Sequence, residues 1–345
     1  KVWKIEDGEE EFTLEGHTDT VFCIAVTPDG ARIVSGSYDK NLKIWSIEDK
    51  QEMFTLSNHS DRVLALAVSP DSEHVLSASK DETIKYWSLE KQISEFTLEG
   101  HGNSVLAVTF SKDGQRAVSC AYDNTIKVWD LRTKRQDFTL TYQADLSAAC
   151  VTDDGTRVVV GLQSHDILVR NLERDVNHQL GSHAKTISSV ETNADESLAI
   201  SSSWDSTSAV WSVADGERLY NLEGHSNRVL CATFTPDSKW AVTGSFDNLI
   251  KVWNMSNGKM EFPLKGHTNS VVCVTASSDG KRLFSGGADN TIRVWNLAER
   301  KEEFALLDHL QPINCLLQTP SGEQLFSAAD DKTIRVFNLE DRKEE

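Results

Sequence analysis

The stretch GHTDTVFCIAVTPDGARIVSGSYDKNLKIW, residues 16–45, is the template from which this chain is built. Its segments VFCIAV and RIVSGS follow a pattern with period two rather than 3.6, which predicts short β-strands. The segments PDG and YDKN, which separate the strands, are turn sequences. The pattern recurs along the whole chain, so we expect one small structural unit to be stacked several times.

Eight repeats can be aligned, each with an anchoring residue near its start and a closing residue near its end. The anchors are His17, His59, His101, Gln143, His183, His225, His267 and His309. The closing residues are Trp45, Trp87, Trp129, Arg170, Trp211, Trp253, Trp295 and Phe337. The step from one anchor to the next is constant except around the fourth repeat, where it is shorter. The repeats span approximately residues 16–57, 58–99, 100–141, 142–181, 182–223, 224–265, 266–307 and 308–345.

Each repeat supplies four strand patterns, which in the first repeat are VFCIAVTP, RIVSGS, LKIWSI and EMFTL. Four short antiparallel strands per repeat are typical of β-propeller blades. We therefore predict an all-β fold: an eight-bladed β-propeller formed by one domain, residues 1–345, with seven blades as the alternative. The segment at residues 10–14 should close the ring as the outer strand of the last blade, because closure removes an open sheet edge.

The recurring spacing carries a recognisable set of motifs. Gly-His pairs occur at Gly16-His17, Gly100-His101, Gly224-His225 and Gly266-His267, and Trp129-Asp130 is a literal WD pair. With these motifs the chain resembles the WD40-repeat family over essentially its whole length. The resemblance implies a propeller that mediates protein–protein interactions.

Composition narrows the range of partners. The net charge of −18 argues against a nucleic-acid or anionic-membrane surface. No run of about 18 apolar residues predicts a membrane-spanning helix, and the N-terminus has no apolar stretch of the kind found in secretory signals. The chain starts within a repeat and without Met, so we expect a fragment or a processed form of a longer protein.

Four of the six cysteines share one position, six residues after the anchoring histidine. They are Cys23, Cys231, Cys273 and Cys315. Other repeats have Ala or Ser there, which indicates a small buried strand position and not a disulfide framework. Reduced thiols are typical of a cytoplasmic, or nuclear, protein.

Six repeats carry His, Ser or Thr, Asp and Trp at the same four positions. These structural tetrads are His17/Ser35/Asp39/Trp45, His59/Ser77/Asp81/Trp87, His101/Ser119/Asp123/Trp129, His183/Ser201/Asp205/Trp211, His225/Thr243/Asp247/Trp253 and His267/Ser285/Asp289/Trp295. A Ser–His–Asp set invites a catalytic-triad interpretation, but a nucleophile site occurs once in an enzyme and this set recurs. The WD40 resemblance implies a buried hydrogen-bond chain that makes each blade rigid. We therefore predict no catalytic residues, no metal ligands and no cofactor.

The same resemblance points to a binding face. In WD40 proteins partners usually bind the top face, to which three positions of each repeat belong: the third and fifth residues after the anchor, and the residue before the turn Asp. Aromatic and Arg residues, the usual anchors of interfaces, are frequent at these positions. The predicted partner-binding residues are Thr20, Phe22, Tyr38, Arg62, Leu64, Lys80, Leu106, Tyr122, Trp204, Arg228, Leu230 and Phe246. The structural alternative is that the inner apolar residues only plug the mouth of the central channel.

The fourth repeat has lost its tetrad, because Gln143, Val160, Ser164 and Arg170 stand where the others have His, Ser, Asp and Trp. Its turn, LQSHD, should therefore be looser than the others. The loss has two interpretations: adaptation to a partner or a hinge, and drift in a repeat that its neighbours stabilise.

These observations predict a non-enzymatic scaffold that binds a protein or peptide partner on the top face and acts in signalling. We expect a monomeric propeller within a larger chain or complex, with no nucleic-acid or membrane partner. The alternative prediction is the ligand-sensing or autoinhibitory region of a larger NACHT or NB-ARC NTPase. Repeats as regular as LEGHTDTVFCIAVTPDGARIVSGS resemble the WD40 tails of those proteins.

Overall fold

A computed structural model of the chain describes residues 2–3, 13–152, 156–171, 176–214, 216–307, 309–319, 321–322 and 324–338. Within these ranges the chain forms β-strands and no helix. The strands pair into eight sheets, one for each predicted repeat. The all-β prediction of eight four-stranded blades is confirmed, and the seven-blade alternative is wrong. The described segments include no helix with the length and apolar character needed to cross a membrane.

The first two strands, β1 (Val2–Trp3) and β2 (Thr13–Leu14), belong to the last blade and not to the first. The next three blades each consist of four consecutive strands. The first blade contains β3 (Val21–Val26), β4 (Arg32–Ser37), β5 (Asn41–Ser46) and β6 (Gln51–Ser57). The second contains β7 (Val63–Val68), β8 (His74–Ser79), β9 (Ile84–Ser88) and β10 (Ile93–Leu98). The third contains β11 (Val105–Phe110), β12 (Arg116–Ala121), β13 (Thr125–Asp130) and β14 (Arg135–Thr141).

The fourth to seventh blades follow the same order. The fourth contains β15 (Leu146–Val151), β16 (Arg157–Leu162), β17 (Asp166–Asn171) and β18 (Val176–Ser182). The fifth contains β19 (Ile187–Thr192), β20 (Leu198–Ser203), β21 (Thr207–Ser212) and β22 (Arg218–Glu223). The sixth contains β23 (Val229–Phe234), β24 (Trp240–Ser245), β25 (Leu249–Asn254) and β26 (Lys259–Lys265). The seventh contains β27 (Val271–Ala276), β28 (Arg282–Gly287), β29 (Ile292–Asn296) and β30 (Lys301–Leu306).

The eighth blade combines strands from distant parts of the chain. Its own strands are β31 (Ile313–Gln318), β32 (Gln324–Ala329) and β33 (Ile334–Asn338). Strand β2 pairs antiparallel with β33, with Leu14 opposite Ile334, and β1 pairs parallel with the same strand. The predicted closing strand at residues 10–14 is therefore confirmed for Thr13–Leu14, whereas residues 10–12 lie outside the described residues.

The described residues form two compact units. The first lies within Lys1–Tyr142 and Asn314–Glu345 and holds the eighth, first, second and third blades. The second lies within Gln143–Thr152 and Thr156–Ile313 and holds the fourth to seventh blades. That the chain is a single domain stays a prediction.

Within each unit, the closing Trp side chains pack between neighbouring blades. Trp45 is 1% exposed and shares an apolar cluster with Leu14 and Phe326 of the eighth blade. Trp87 shares another with Val34 of the first blade. Deleting a buried side chain of this size costs about 3–5 kcal/mol, so these residues are a main reason why the blades stack at a fixed distance.

The turn between the second and third strands has one shape in all eight blades. The residue after the turn Asp has a positive φ, 75° at Lys40, and Asp39 Oδ1 accepts a hydrogen bond of 3.0 Å from the Asn41 amide. The eight residues with positive φ are Lys40, Glu82, Asn124, His165, Ser206, Asn248, Asn290 and Lys332. Only Asn and Asp adopt this region readily among residues with a Cβ. The blade therefore imposes the conformation at the other positions.

The structure corrects the alignment of the fourth repeat. The amide of His183 donates to the turn carbonyl of His165, and in the same way the amide of Tyr142 donates to Asn124. The anchor of the fourth repeat is therefore Tyr142, which is buried, and not Gln143, which is exposed. The prediction of Gln143 was wrong because the missing residue lies before the anchor.

The six cysteines, all of which lie among the described residues, form no disulfide with one another. The four at the shared position, represented by Cys23, are half-buried rather than fully buried. Burial raises the pKa of the Cys231 thiol to about 12 and that of Cys315 to about 11. Both thiols are therefore protonated and poor nucleophiles at neutral pH.

Candidate functional site

In each tetrad the four side chains form one hydrogen-bond chain. In the first blade, Trp45 Nε1 donates to Ser35 Oγ at 2.8 Å, and Ser35 Oγ lies 2.8 Å from His17 Nε2. His17 Nδ1 lies 2.7 Å from Asp39 Oδ2, which also accepts the Thr18 amide at 2.9 Å. A neutral imidazole protonated on Nδ1 satisfies every one of these partners.

The other five tetrads repeat this geometry closely. The His Nδ1 to Asp distance is 2.8 Å at His59 and at most 3.0 Å in the rest, as at His183 and His267. The Trp Nε1 to hydroxyl distance lies between 2.7 Å and 2.9 Å in all five. A chain in which each polar atom has a partner costs little to bury.

The hydroxyl residues at the centre of the tetrads are fully buried. Besides Ser35, they are Ser77, Ser119, Ser201, Thr243 and Ser285. Each hydroxyl oxygen accepts the Trp Nε1 hydrogen bond and lies within 2.9 Å of the His Nε2 atom of its own tetrad. Because these groups have no access to solvent, they cannot contribute to a binding surface, and their part in the site is to hold the turn that carries the top-face residues.

The titration of these groups follows from their contacts. Burial by itself would raise the pKa of Asp39, but the hydrogen bonds from His17 and from the Thr18 amide outweigh it and lower the pKa to about 2. Burial lowers the pKa of His101 and of His183 below the ordinary value, more than their Asp partners raise it. The tetrads of the third and fifth blades therefore each contain an ionised Asp and a neutral His at physiological pH.

The tetrads contain the residue types of a catalytic triad, but a substrate has no access to their hydroxyl group. Ser35 is fully buried, and its hydroxyl is held between Trp45 and His17. A substrate carbonyl cannot reach a nucleophile in that position. The arrangement of these side chains instead suits them to hold the strands and the turn of the blade together.

The top-face positions are brought together in pairs by the backbone. The amide of the residue before the turn Asp donates to the carbonyl of the third residue after the anchor, as from Tyr38 to Thr20 at 3.0 Å and from Phe246 to Arg228 at 2.9 Å. The same bond links Gln163 to Asp145 at 2.7 Å in the fourth blade. Two positions from different loops thus form one local surface in each of these blades.

In the first unit, the side chains at these positions stack on each other. Phe22 is 38% exposed, and its ring stacks on Tyr38 with 5.2 Å between centroids. The Arg62 guanidinium lies 4.4 Å from the Tyr38 ring centroid, so Tyr38 is half-buried rather than fully exposed. Burial, the largest influence, raises the pKa of Tyr38. Tyr122, on the third blade, is 45% exposed.

The remaining predicted residues of the first unit contribute less apolar surface. Leu64, Leu106 and Thr20 are half-buried. Lys80 is exposed, with its ammonium nitrogen 3.8 Å from Asp61.

In the second unit, an arginine again lies on an aromatic ring. The Arg228 guanidinium is 4.1 Å from the Trp204 ring centroid, and Trp204 is 38% exposed. Phe246 is 48% exposed and Leu230 is half-buried. The sequence analysis did not anticipate this pairing, although a signal existed: the arginine follows its aromatic partner at the same spacing in both units.

Sequence reasoning also missed exposed apolar residues outside the three chosen positions. Leu310 is 75% exposed shortly before Pro312, and Met53, Leu219 and Met260 are 43–49% exposed on outer strands. Met53 and Leu219 occupy the same position of their repeats, after the closing Trp, whereas Met260 and Leu310 each occupy a different one, and the other repeats have polar residues at the position of Met53.

One group of possible metal ligands occurs among the described residues. Asp71, Glu73 and His74 each place one ligand atom within 4.8 Å of the others. Both carboxylates are exposed, and the His74 ring stacks on Tyr86 with 4.8 Å between centroids.

Comparison with known proteins identifies the repeats. The family model described as "WD domain, G-beta repeat" matches residues 8–46, 50–88, 92–130, 174–212, 216–254, 258–296 and 301–338. The gap between the third and fourth matches, residues 131–173, contains most of the fourth repeat, which lacks the tetrad. A search of curated proteins found no match. The seven matches cover most of the chain, which therefore belongs to the WD40 (WD domain, G-beta repeat) family.

Proposed function

We propose that this chain is a non-enzymatic scaffold that binds a peptide or protein partner through its top face. WD40 propellers typically bind proteins or peptides and are generally not catalytic. The observation that carries the proposal is the exposure of aromatic rings at turn positions, with Tyr122, Trp204 and Phe246 between 38% and 48% exposed. Turns impose no need for such residues, and exposed aromatic clusters are typical of interfaces.

The proposal can be tested by affinity capture with mass spectrometry. The variant Tyr38→Ala/Trp204→Ala/Phe246→Ala should lose the partners recovered with the wild type, because it removes the aromatic anchors. The matched control is Met53→Ala/Leu219→Ala/Met260→Ala, which removes exposed apolar side chains from outer strands. The control should recover the same partners, and both variants should keep a thermal midpoint near that of the wild type. Equal recovery by all three proteins would contradict the proposal.

A second candidate is the sensing or autoinhibitory region of a larger NACHT or NB-ARC NTPase. It is favoured by the near-constant geometry of the repeats, since the His Nδ1 to Asp Oδ2 distance is 2.7 Å in the first blade and 3.0 Å in the seventh. Sequencing the complete transcript tests it: a P-loop motif upstream in the same reading frame supports this candidate, and a complete reading frame without one excludes it.

A further inference from the structure

The two arginine–aromatic pairs occupy equivalent places in the two units. The step along the chain from Tyr38 to Trp204 equals the step from Arg62 to Arg228. In each pair the arginine comes from the blade that follows the blade of the aromatic residue, and the guanidinium lies 4.4 Å or 4.1 Å from the ring centroid. The two pairs can therefore be compared directly, because the same arrangement of arginine and aromatic ring occurs next to different residues.

The guanidinium of Arg228 has no hydrogen-bond or ion-pair partner among the described residues. Among the described residues the same holds for Arg62, whereas Arg300, which is 4.9 Å from the Phe262 ring centroid, also donates to Glu261 at 3.0 Å. An arginine held on an aromatic face keeps its N–H edge free, and it has lost part of its side-chain entropy before any ligand binds. It is thus prepared to accept a carboxylate in a bidentate manner.

Two exposed aromatic residues are in contact with Arg228, one through its guanidinium and one through its backbone. The Trp204 ring lies under the guanidinium, and the Phe246 amide donates to the Arg228 carbonyl at 2.9 Å. Both rings are exposed, by 38% and 48%. A ligand that fits this surface carries an anionic group next to an apolar side chain.

The charges around the two pairs differ. Two residues after the anchor, the blades of the second pair have Lys185 and Asn227. The blades of the first pair have Asp19 and Asp61 at this position. Both Asp330 and Asp19 act on the Tyr38 hydroxyl, whose pKa burial raises. At this position the blades of the Trp204–Arg228 pair therefore carry one cation and no carboxylate, in a chain of net charge −18, whereas those of the Tyr38–Arg62 pair carry two carboxylates.

We propose that the surface formed by Trp204, Arg228, Phe246 and Lys185 binds an acidic peptide segment, in which Asp or Glu carboxylates alternate with apolar side chains. This inference rests on the proposed partner-binding role of the top face and specifies the chemistry of the partner. The planar guanidinium of Arg228 fits a carboxylate in a bidentate manner, and one arginine with one lysine is too little positive charge for a densely charged nucleic acid. The Tyr38–Arg62 pair binds the same segment more weakly, because its own carboxylates repel it.

The test is fluorescence anisotropy with a short labelled peptide of glutamate, leucine and glycine, and with its lysine counterpart. Arg228→Gln should weaken binding of the glutamate peptide about tenfold or more, as expected when hydrogen bonds to a charged group are lost. Arg62→Gln, which removes the equivalent side chain, and Arg132→Gln, which removes an exposed arginine in the turn after β13, should change affinity by less than about threefold. Raising the salt concentration should weaken binding.

Three results would overturn the inference. The first is equal affinity for the glutamate and lysine peptides, or no binding of either. The second is an equal loss in Arg62→Gln and Arg228→Gln. The third is binding of phosphatidylserine vesicles without binding of the glutamate peptide, which would indicate a membrane surface. If the peptide fails to bind while the triple aromatic variant still loses its captured partners, the proposed function stands and only the acidic chemistry is refuted.

Discussion

The first and fourth blades have the same strand order and the same turn but are held together by different chemistry. In the first blade, Ser35 Oγ joins Trp45 and His17 in a polar chain. In the fourth, Val160 occupies the place of Ser35 and is fully buried, and the same two strands also bury Val158, Val159, Ile167 and Val169. Apolar packing therefore suffices to form a blade in this fold.

A comparison of the turns between the second and third strands of these two blades shows what the hydrogen-bond chain of the tetrad contributes to the structure. The turn of the fourth blade keeps the positive φ of 75° at His165 and the backbone bond from Gln163 to Asp145. Its side-chain contact is local, from Ser164 Oγ to Asp166 Oδ2 at 2.9 Å. In the first blade, Asp39 ties the turn to the anchor loop through His17 and the Thr18 amide. The polar chain thus links two loops that the backbone alone would leave joined by a single bond.

The largest expected effect comes from disrupting the hydrogen-bond chain of the tetrad in the first blade. The equivalent substitution in the fourth blade, which has no tetrad, is the comparison. Asp39→Leu leaves the buried Nδ1 of His17 and the Thr18 amide without an acceptor, and should lower the free energy of unfolding by about 3–5 kcal/mol. Ser164→Leu makes the same replacement at the equivalent position of the fourth blade. Ser164 is exposed, so its loss should cost about 0.5 kcal/mol or less. Urea denaturation followed by circular dichroism measures both, and similar losses would show that the blades do not differ in this way.

A second test contrasts the well-satisfied carboxylate of Asp39 with a poorly satisfied one. Glu191, on the inner strand of the fifth blade, accepts one hydrogen bond, from Thr233 at 2.7 Å. Burial raises its pKa to about 7. Because this folded-state value lies above the unfolded value of 4.5, the stability that Glu191 contributes is fully present below pH 4.5 and is lost as the pH rises through 7.

Glu191→Gln should therefore be more stable than the wild type by up to about 3 kcal/mol at pH 8.5 and nearly equal to it at pH 4.5. Thermal denaturation at both pH values measures the difference. Thr233→Val serves as the control, because it removes the single donor and should make the wild-type carboxylate still harder to ionise. A Glu191→Gln advantage that is the same at both pH values would contradict the assignment.

The smallest expected effect is a difference in local opening. Native-state hydrogen exchange should show the turn amides of Gln163 and His165 opening about tenfold more often than those of Tyr38 and Lys40. The polar chain is expected to contribute about 1 kcal/mol to the closed turn. Equal protection in the two turns would mean that the backbone bonds alone fix them, and that the fourth blade is no looser than the others.

The sequence predicted the blades well, for a physical reason. Period-two strands, fixed turns and a recurring His–Ser–Asp–Trp set are local patterns, and eight copies average out the exceptions. The error at Gln143 arose where this averaging failed, because only the backbone bond from Tyr142 to Asn124 shows where the missing residue lies.

Contacts between blades were harder to predict, because they join residues that are far apart in sequence. The stacking of Arg228 on Trp204 and the burial of Glu191 both depend on the next blade. Some of this information was present in the sequence. Where Glu191 stands, the other repeats have Ala25, Ala67, Thr109, Cys150, Thr233, Thr275 and Leu317, so an acidic residue there was an exception that comparison of the repeats could have identified.

The pairing of Leu14 with Ile334 has a consequence for biosynthesis. Leu14 lies on β2, near the start of the sequence, and Ile334 lies on β33, the last described strand. In the folded protein Leu14 is 2% exposed. At translation rates of about 5–20 residues per second, the ribosome needs roughly 15–60 s to deliver the partner strand after Leu14 has been made. Strand β2 therefore remains without its partner strand β33 while the blades between them in sequence are synthesised. During that interval Leu14 can pack only on residues of the first blade, such as Val21 and Trp45.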